Sequence, residues 1–291
     1  KHQALMKAIQ HNKTTGLAFT KASCELFDVH RDAHYKYLKR FNKKQAQHSV
    51  IIEFVKQERS VQPRIGTRKL IKTIKDPLCK QCIKLGRDAL FNLLRDNHLL
   101  IRRKKPNHKT TNSFHRFYKY NNLIKDLEVV RPNQVWVSDI TYIRTVKGFC
   151  YLALVTDLFS RKIVGYDISD SLELKGCLRA LQKAQRQSRL NAGTIHHSDR
   201  GIQYCSNQYV KELEKKKMLI SMTEENHCYE NAVAERVNGI LKGEFYLDEC
   251  FTNVEHAKRA VKNAIKIYNQ KRMHLSLNFK TPDMVHNFNL N

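Results

Sequence analysis

From residue 132 onward, apolar positions fall into blocks of two periods. "QVWVSDITYI" (134–143) alternates, so that Val135, Val137, Asp139, Thr141 and Ile143 share one face of a strand. "FCYLALVTD" (149–157) is a nearly continuous apolar run, the pattern of a strand covered on both faces. "RKIVGYDIS" (161–169) reads as a third strand, "LELKGCLRALQKAQRQ" (172–187) as a helix, and "GTIHHSD" (193–199) as a short strand with a polar end. A helix over 207–218, a strand over 219–223 and helices over 231–246 and 257–272 follow, ending in an irregular tail. Strands grouped first and then alternating with helices indicate an α/β or α+β layered domain.

The first 131 residues read differently. "KASCELFDVHRDAHYKYLKRF" (21–41) sets Leu26, Phe27 and Val29 around a turn before a second periodic run with Tyr35 and Leu38, compatible with a helix-turn-helix. "PRIGTRKLIKTI" (63–74) and "GRDALFNLLRDNHLLIRRKK" (86–105) form a second such unit, with Leu90, Phe91 and Leu94 on one helical face. The expected organisation is a basic helical region over 1–59, a helix-turn-helix-like domain over 60–105, a linker over 106–131, a core domain over 132–249, and a C-terminal helix and tail over 250–291.

Charge sharpens this division. Residues 1–131 carry 30 Lys+Arg against 10 Asp+Glu, whereas 132–291 carry 23 against 17. A basic front half on a nearly balanced rear half suggests an arm that binds a polyanion, with nucleic acid the best fit. At 41% hydrophobic residues, the chain can build real cores. It contains no apolar run long enough to span a bilayer and no secretory signal, so a cytoplasmic protein without a membrane partner is expected. The eight cysteines are scattered as reduced thiols would be. Cys79 and Cys82 have zinc-knuckle spacing, but no second ligand pair follows, so both are expected to be small buried residues.

Three carboxylates stand out. Asp139 interrupts an otherwise apolar and hydroxylic strand, where an unpaired charge is costly. Asp199 closes another strand. Glu235 shares a helical face with Asn231, Asn238, Gly239 and Lys242, an odd stripe for a core helix. Gly239 and Gly243 each cost about 1 kcal/mol relative to alanine, which makes sense if a bulky backbone must approach closely. Carboxylate oxygens suit Mg²⁺ or Mn²⁺ rather than zinc, and two such ions can serve an in-line phosphoryl displacement. Spacing alone cannot choose between Asp139 and the equally strand-terminal Asp157, and a lone strand aspartate is more often structural.

"VWVSDITYI", "HHSDRGIQY" and "YENAVAERVNGILKGEF" resemble the three signature segments of the DDE transposases of insertion-sequence family three (orfB type), which share a retroviral integrase-like catalytic core. The 35 residues between Asp199 and Glu235 match that family's spacing, and Lys242 matches its basic residue seven positions later. "YNQKRMHLSL" followed by "TP" (281–282) resembles its terminal motif, with Met273 where proline is commoner; Glu230 stands where many members have aspartate. "RIGTRKL" and the helix beginning at Gly86 resemble its upstream DNA-binding helices.

The resemblance implies an α/β fold: an RNase H-like catalytic domain, with a five-stranded mixed sheet flanked by helices, preceded by all-α helix-turn-helix units. It implies cleavage of insertion-sequence ends to expose a 3′-hydroxyl, followed by strand transfer. Asp139, Asp199 and Glu235 would hold two Mg²⁺ (or Mn²⁺) ions, with Asp139 bridging. Lys242, Arg200, Asn231, Arg64, Thr67, Arg68, Lys69, Arg102, Arg103, Lys104 and Lys105 are the expected DNA contacts. His197, Tyr204, Asn238 and Gly239 are expected to support the site, with His196 filling the strand end. Expected partners are transposon-end and target DNA and further copies of the chain. Because the chain opens on Lys1 rather than methionine, it is expected to be either a trimmed chain or the downstream part of a longer frameshifted product, whose upstream segment would then be a further partner. An inert DNA-binding regulator, or a nuclease acting on RNA–DNA hybrids, are the competing functions.

Overall fold

The computed structural model describes residues 1–14, 20–101, 116–188, 193–224 and 231–288. The chain divides into two compact units, one of residues 1–58 and 70–100, the other of 59–69 and 101–291.

The first unit is all helical. Helices α1 (His2–Thr14) and α2 (Thr20–Leu26) bury Leu5, Ile9 and Cys24 against Phe27 and Val29. The chain turns at Asp28 (φ 46°) into α3 (Arg31–Val61), a 31-residue helix far longer than the short periodic run at Tyr35 and Leu38 suggests. Helix α4 (Thr67–Lys80) buries Leu70, Ile74 and Leu78 at four-residue spacing, and α5 (Arg87–Asp96) buries Leu90, Leu93 and Leu94. Cys79 and Cys82 are exposed, not buried as expected: they sit at the end of α4 and in the turn after it, where no apolar neighbour covers them.

The second unit is built on a five-stranded sheet: β1 (Val135–Thr145), β2 (Gly148–Asp157), β3 (Ile163–Ser169), β4 (Ile195–Ser198) and β5 (Leu219–Met222), in the order β3-β2-β1-β4-β5. The β1–β2 and β2–β3 pairs are antiparallel; β4 and β5 add in parallel, as crossovers through helices require. Helices α9 (Ala232–Phe245) and α10 (Val254–Gln270) cover one face, packing Val237, Leu241, Val261 and Tyr268 onto Ile143, Leu152 and Ile163. Helices α6 (Leu174–Gln187), α7 (Ile202–Cys205) and α8 (Asn207–Lys215) cover the other, against Trp136, Ala153 and Val155. The apolar run of β2 is thereby explained by burial on both faces. Gly165 lets α6 approach β3: a Cβ there would stand 2.3 Å from the Ala180 carbonyl oxygen. The tail is more regular than expected, with a short 3-10 turn (Leu275–Leu277) and α11 (Pro282–Phe288).

Within this unit, the segment 59–69 closes the C-terminal end of α9. Arg64 donates from its backbone N–H to the Glu244 carbonyl and from Nη1 to the Gly243 carbonyl, satisfying groups a helix end leaves open. Its guanidinium also meets Asp248 and Glu249 and lies 4.1 Å over the Tyr246 ring. Glu244 accepts from Lys69 Nζ at 2.8 Å and from Arg272 Nη2 and Nε at 2.7 and 2.8 Å. Lys69 and Arg272 are both buried. Burial and the nearby Arg272 push Lys69 down to about 8, and the two cations hold Glu244 below its ordinary range despite its own burial.

Two histidines inside this unit are held neutral. His196 lies within the sheet, its Nε2 2.8 Å from Ser138 Oγ and 3.0 Å from the Tyr209 hydroxyl, and burial lowers it to about 3. Burial, followed by the charges of Arg272 and Lys69, lowers His274 to about 3 as well.

Two stability tests follow from these contacts. Glu244→Gln strips two buried cations of their shared anion and should lower unfolding stability in denaturant by about 3 kcal/mol or more. Lys69→Met, which leaves Arg272 on Glu244, should cost less, and equal stability of Glu244→Gln and wild type would refute the clasp. The histidines have folded values below their unfolded value of about 6.5. Their contribution is therefore complete above that pH and is lost progressively as pH falls from 6.5 toward 3. His196→Gln should flatten the pH dependence of stability in that window by about 1.4 kcal/mol per pH unit; an unchanged slope would show that His196 takes up protons in the fold.

Candidate active site

Three separate elements bring the three carboxylates toward one region. Asp139 is the fifth residue of β1, on the face covered by α9. Its Oδ1 accepts from the Ile140 N–H at 2.8 Å, and its Oδ2 accepts from Asn238 Nδ2 at 2.7 Å. Asp199 directly follows β4, the strand paired in parallel beside β1, and its Oδ1 accepts from the Gly201 N–H at 3.1 Å. Glu235 lies in the first turn of α9 and is exposed, so its carboxylate reaches solvent.

The electrostatics tie them together. Burial, then the charge of Asp199, pushes Asp139 up to about 7, with a smaller push from Glu235. The Asn238 amide and the Ile140 N–H pull the other way without prevailing. Among the described residues, no three His, Cys, Asp or Glu side chains close into a metal cage. The acids therefore sense one another without forming a finished coordination shell.

The odd stripe on α9 resolves into two groups. Asn231 and Asn238 are buried and point their amide nitrogens at β1, Asn231 donating to the Ser138 carbonyl at 3.1 Å. The Oδ1 atoms of both are buried with no donor among the described residues. Glu235, Gly239 and Gly243 face solvent, and a Cβ at either glycine would meet nothing within 4 Å. No internal contact therefore explains these helix-weakening glycines. Lys242 is half-buried; desolvation lowers it, while Asp139 and Asp248 act to raise it.

Gly201 has a role that sequence reasoning missed, although its place two residues after Asp199 was a usable signal. A Cβ there would stand 3.0 Å from Asp199 Oδ1, so a side chain at 201 would crowd that carboxylate. Tyr204 is buried below the site against Tyr209, and burial raises its hydroxyl well above the usual phenol range. His196 and His197 are both inside the sheet layer; His197 Nδ1 lies 2.8 Å from Ser221 Oγ. The pair is structural, not solvent-facing.

Asp157, the rival of Asp139, is fully buried and accepts from the Asn133 N–H, the Ser160 N–H and the Ser160 hydroxyl at 2.6–2.7 Å. Held by three donors and wholly buried, it fixes the β2–β3 connection and does not face a substrate. Of the expected DNA contacts, Arg200 stands next to Asp199 and Arg68 is exposed. Thr67 is buried, and Arg64 and Lys69 are engaged by acids at the end of α9, so the structure does not present these three as free contacts. Arg102, Arg103, Lys104 and Lys105 lie outside the described residues.

Residues 129–228 and 216–282 match two family descriptions, both of an integrase core domain. The chain is 33% identical over 263 residues to the insertion element IS600 uncharacterized 31 kDa protein of Shigella sonnei, covering 89% of this chain and 95% of that one. It is 37% identical over 171 residues to the transposase InsF for insertion sequence IS3A of Escherichia coli K12, and 37% over 143 residues to the transposase for IS629 of Shigella sonnei. Those matches span 59% and 48% of the two transposases. Among solved structures, the HTLV-2 integrase catalytic core domain in complex with magnesium aligns at 20% identity with a TM-score of 0.45, covering 55% of this chain and 99% of that one. With integrase-core matches across its sheet and tail and an insertion-element relative along nearly its whole length, the chain belongs to the IS3-type DDE transposases.

Proposed function

We propose that Asp139, Asp199 and Glu235 form the catalytic acid triad and that the protein cuts insertion-sequence ends and joins them to target DNA. The observation that carries this is Asp139: a carboxylate on a central strand, raised to about 7 by burial and by Asp199, with Glu235 adding to the push. Concentrated negative charge of this kind suits a divalent cation. The buried, donorless Oδ1 atoms of Asn231 and Asn238 suit the outward-facing hydrogens of a hydrated ion. Bound Mg²⁺ or Mn²⁺ would activate the attacking oxygen and stabilise the leaving one.

The chain's own residues divide the remaining work. Asn238 and the Ile140 N–H fix both oxygens of Asp139, and the Gly201 N–H fixes Asp199. Lys242 and Arg200 would hold phosphates beside the acids, and the open surface at Gly239 and Gly243 would admit the sugar-phosphate backbone. In the first step a water oxygen forms a bond to phosphorus, and the bond to the departing 3′-oxygen breaks, leaving a 3′-hydroxyl. In the second, that 3′-oxygen bonds to a target-strand phosphorus and displaces that phosphodiester's own 3′-oxygen. Two helical pairs, α2–α3 and α4–α5, would engage the terminal repeats as helix-turn-helix elements. Further copies of the chain would assemble on the two element ends.

The direct test is cleavage and joining of labelled element-end DNA in Mg²⁺. Glu235→Gln, Asp139→Ala and Asp199→Ala should each lose both activities while keeping DNA binding, and an active Glu235→Gln would remove that residue from the triad. Asp157→Asn should act through folding, seen as a lowered unfolding midpoint. Asn238→Ala should fold normally yet bind Mn²⁺ by calorimetry about 10–100-fold more weakly, with a parallel loss of cutting. Unchanged Mn²⁺ affinity would show that the 2.7 Å contact does not position Asp139.

A further inference from the structure

Most of the surplus positive charge of residues 132–291 lies on one helix and the two residues that follow it. That stretch carries 23 Lys+Arg against 17 Asp+Glu, and residues 254–272 alone supply six of the former and one of the latter. The sixth cation, Arg272, is buried on Glu244. The other five are exposed: Lys258, Arg259, Lys262 and Lys266 on α10, with Arg259 and Lys266 turned away from the side that packs Val261 and Ile265 into the core, and Lys271 just after it. Lys258 pairs with Glu255; among the described residues, no acid stands within ion-pair distance of the other four.

Helix stability does not explain this pattern. Lys258, Lys262 and Lys266 are spaced four residues apart, so like charges sit directly above one another, an unfavourable arrangement. A row of this kind gains from an external polyanion. From Lys258 to Lys266 it extends roughly 12 Å along the axis, about three to four phosphates of one DNA strand by axial rise. A membrane surface fits poorly, because an interfacial helix must bury its apolar face in lipid, and the apolar face of α10 is already buried under the sheet.

We propose that the outer face of α10 is a DNA-backbone contact surface within the catalytic unit, carried by Arg259, Lys262 and Lys266, separate from the basic front arm. This rests on the reading of DNA as substrate. Its contacts are to phosphate, so it holds duplex without regard to sequence.

The test compares full-length wild type with two triple variants of equal charge change, Arg259→Gln/Lys262→Gln/Lys266→Gln on α10 and Lys211→Gln/Lys215→Gln/Lys216→Gln on and after α8. Each is titrated with a random-sequence DNA duplex across a salt series. The slope of log affinity against log salt should fall in magnitude by about 2 to 3 for the α10 variant, near 0.9 per lost phosphate contact, and by much less for the α8 variant. Equal slopes for the α10 variant and wild type, or equal drops in both variants, would overturn the surface. A drop in binding to phosphatidylserine vesicles with an unchanged DNA slope would overturn it in favour of a membrane. Strand cutting by wild type is scored separately. If wild type fails to cut while the α10 slope still falls, the function proposed above fails and the surface stands; if it cuts and the slope is unchanged, the reverse holds.

Discussion

A carboxylate on a central strand is the constraint around which the second unit is organised. Asp139 is half-buried on β1, and its desolvation is aggravated by Asp199 on the neighbouring strand end. Such a group would normally be replaced by an apolar residue or neutralised by an adjacent cation. Here its nearest support is a neutral amide, Asn238, and a backbone N–H. Charge is thus tolerated but not cancelled by a hydrogen-bonded cation among the described residues. The parallel addition of β4 beside β1 then matters, because it sets the end of β4, and with it Asp199, next to the middle of β1.

The abundant cations serve two different ends. Arg64, Lys69 and Arg272 lie against Glu244, Asp248 and Glu249, and Arg64 and Lys69 also carry segment 59–69 onto the end of α9. These are internal ties, and the net charge of the chain overstates what is free to meet a polyanion. Arg259, Lys262 and Lys266 on α10 are the opposite case: among the described residues no acid stands within ion-pair distance of them, and Lys258, Lys262 and Lys266 stack like charges at four-residue spacing. Composition weighs the two equally; only burial and partners separate them.

This explains where the sequence was legible. The strands and most helices of the second unit could be read from apolar periodicity because both sheet faces are covered, so β2 carries almost no polar residue and α6, α8 and α10 show one apolar stripe each. The length of α3 could not be read, since only His34, Ile51 and Val55 of its 31 residues are buried and the helical period is faint. Asp139 and Asp157 were indistinguishable by spacing, because what separates them is the number of donors each finds in space. Arg64 and Lys69 read as DNA contacts for the same reason: their acidic partners are some 175–185 residues away in the chain. Cys79 and Cys82 misled because cysteine is usually buried, whereas a helix end and its turn are open to water.

Helix α9 shows how these demands meet in one element. Its buried asparagines reach β1 from one side, Val237 and Leu241 enter the core from the other, and its open edge carries Glu235, Gly239 and Lys242. Such a helix has few apolar positions with which to hold its own register. Glu244 and the helix-end carbonyls supply the second fixed point, nine residues beyond Glu235, through Arg64, Lys69 and Arg272. A side chain on an element anchored at both ends is placed more closely than one on a loop, which is what the proposed triad would require of Glu235. The polar stripe and the distant ionic clasp are therefore parts of one solution: the first leaves an edge of α9 open to solvent, and the second restores the rigidity that opening removes.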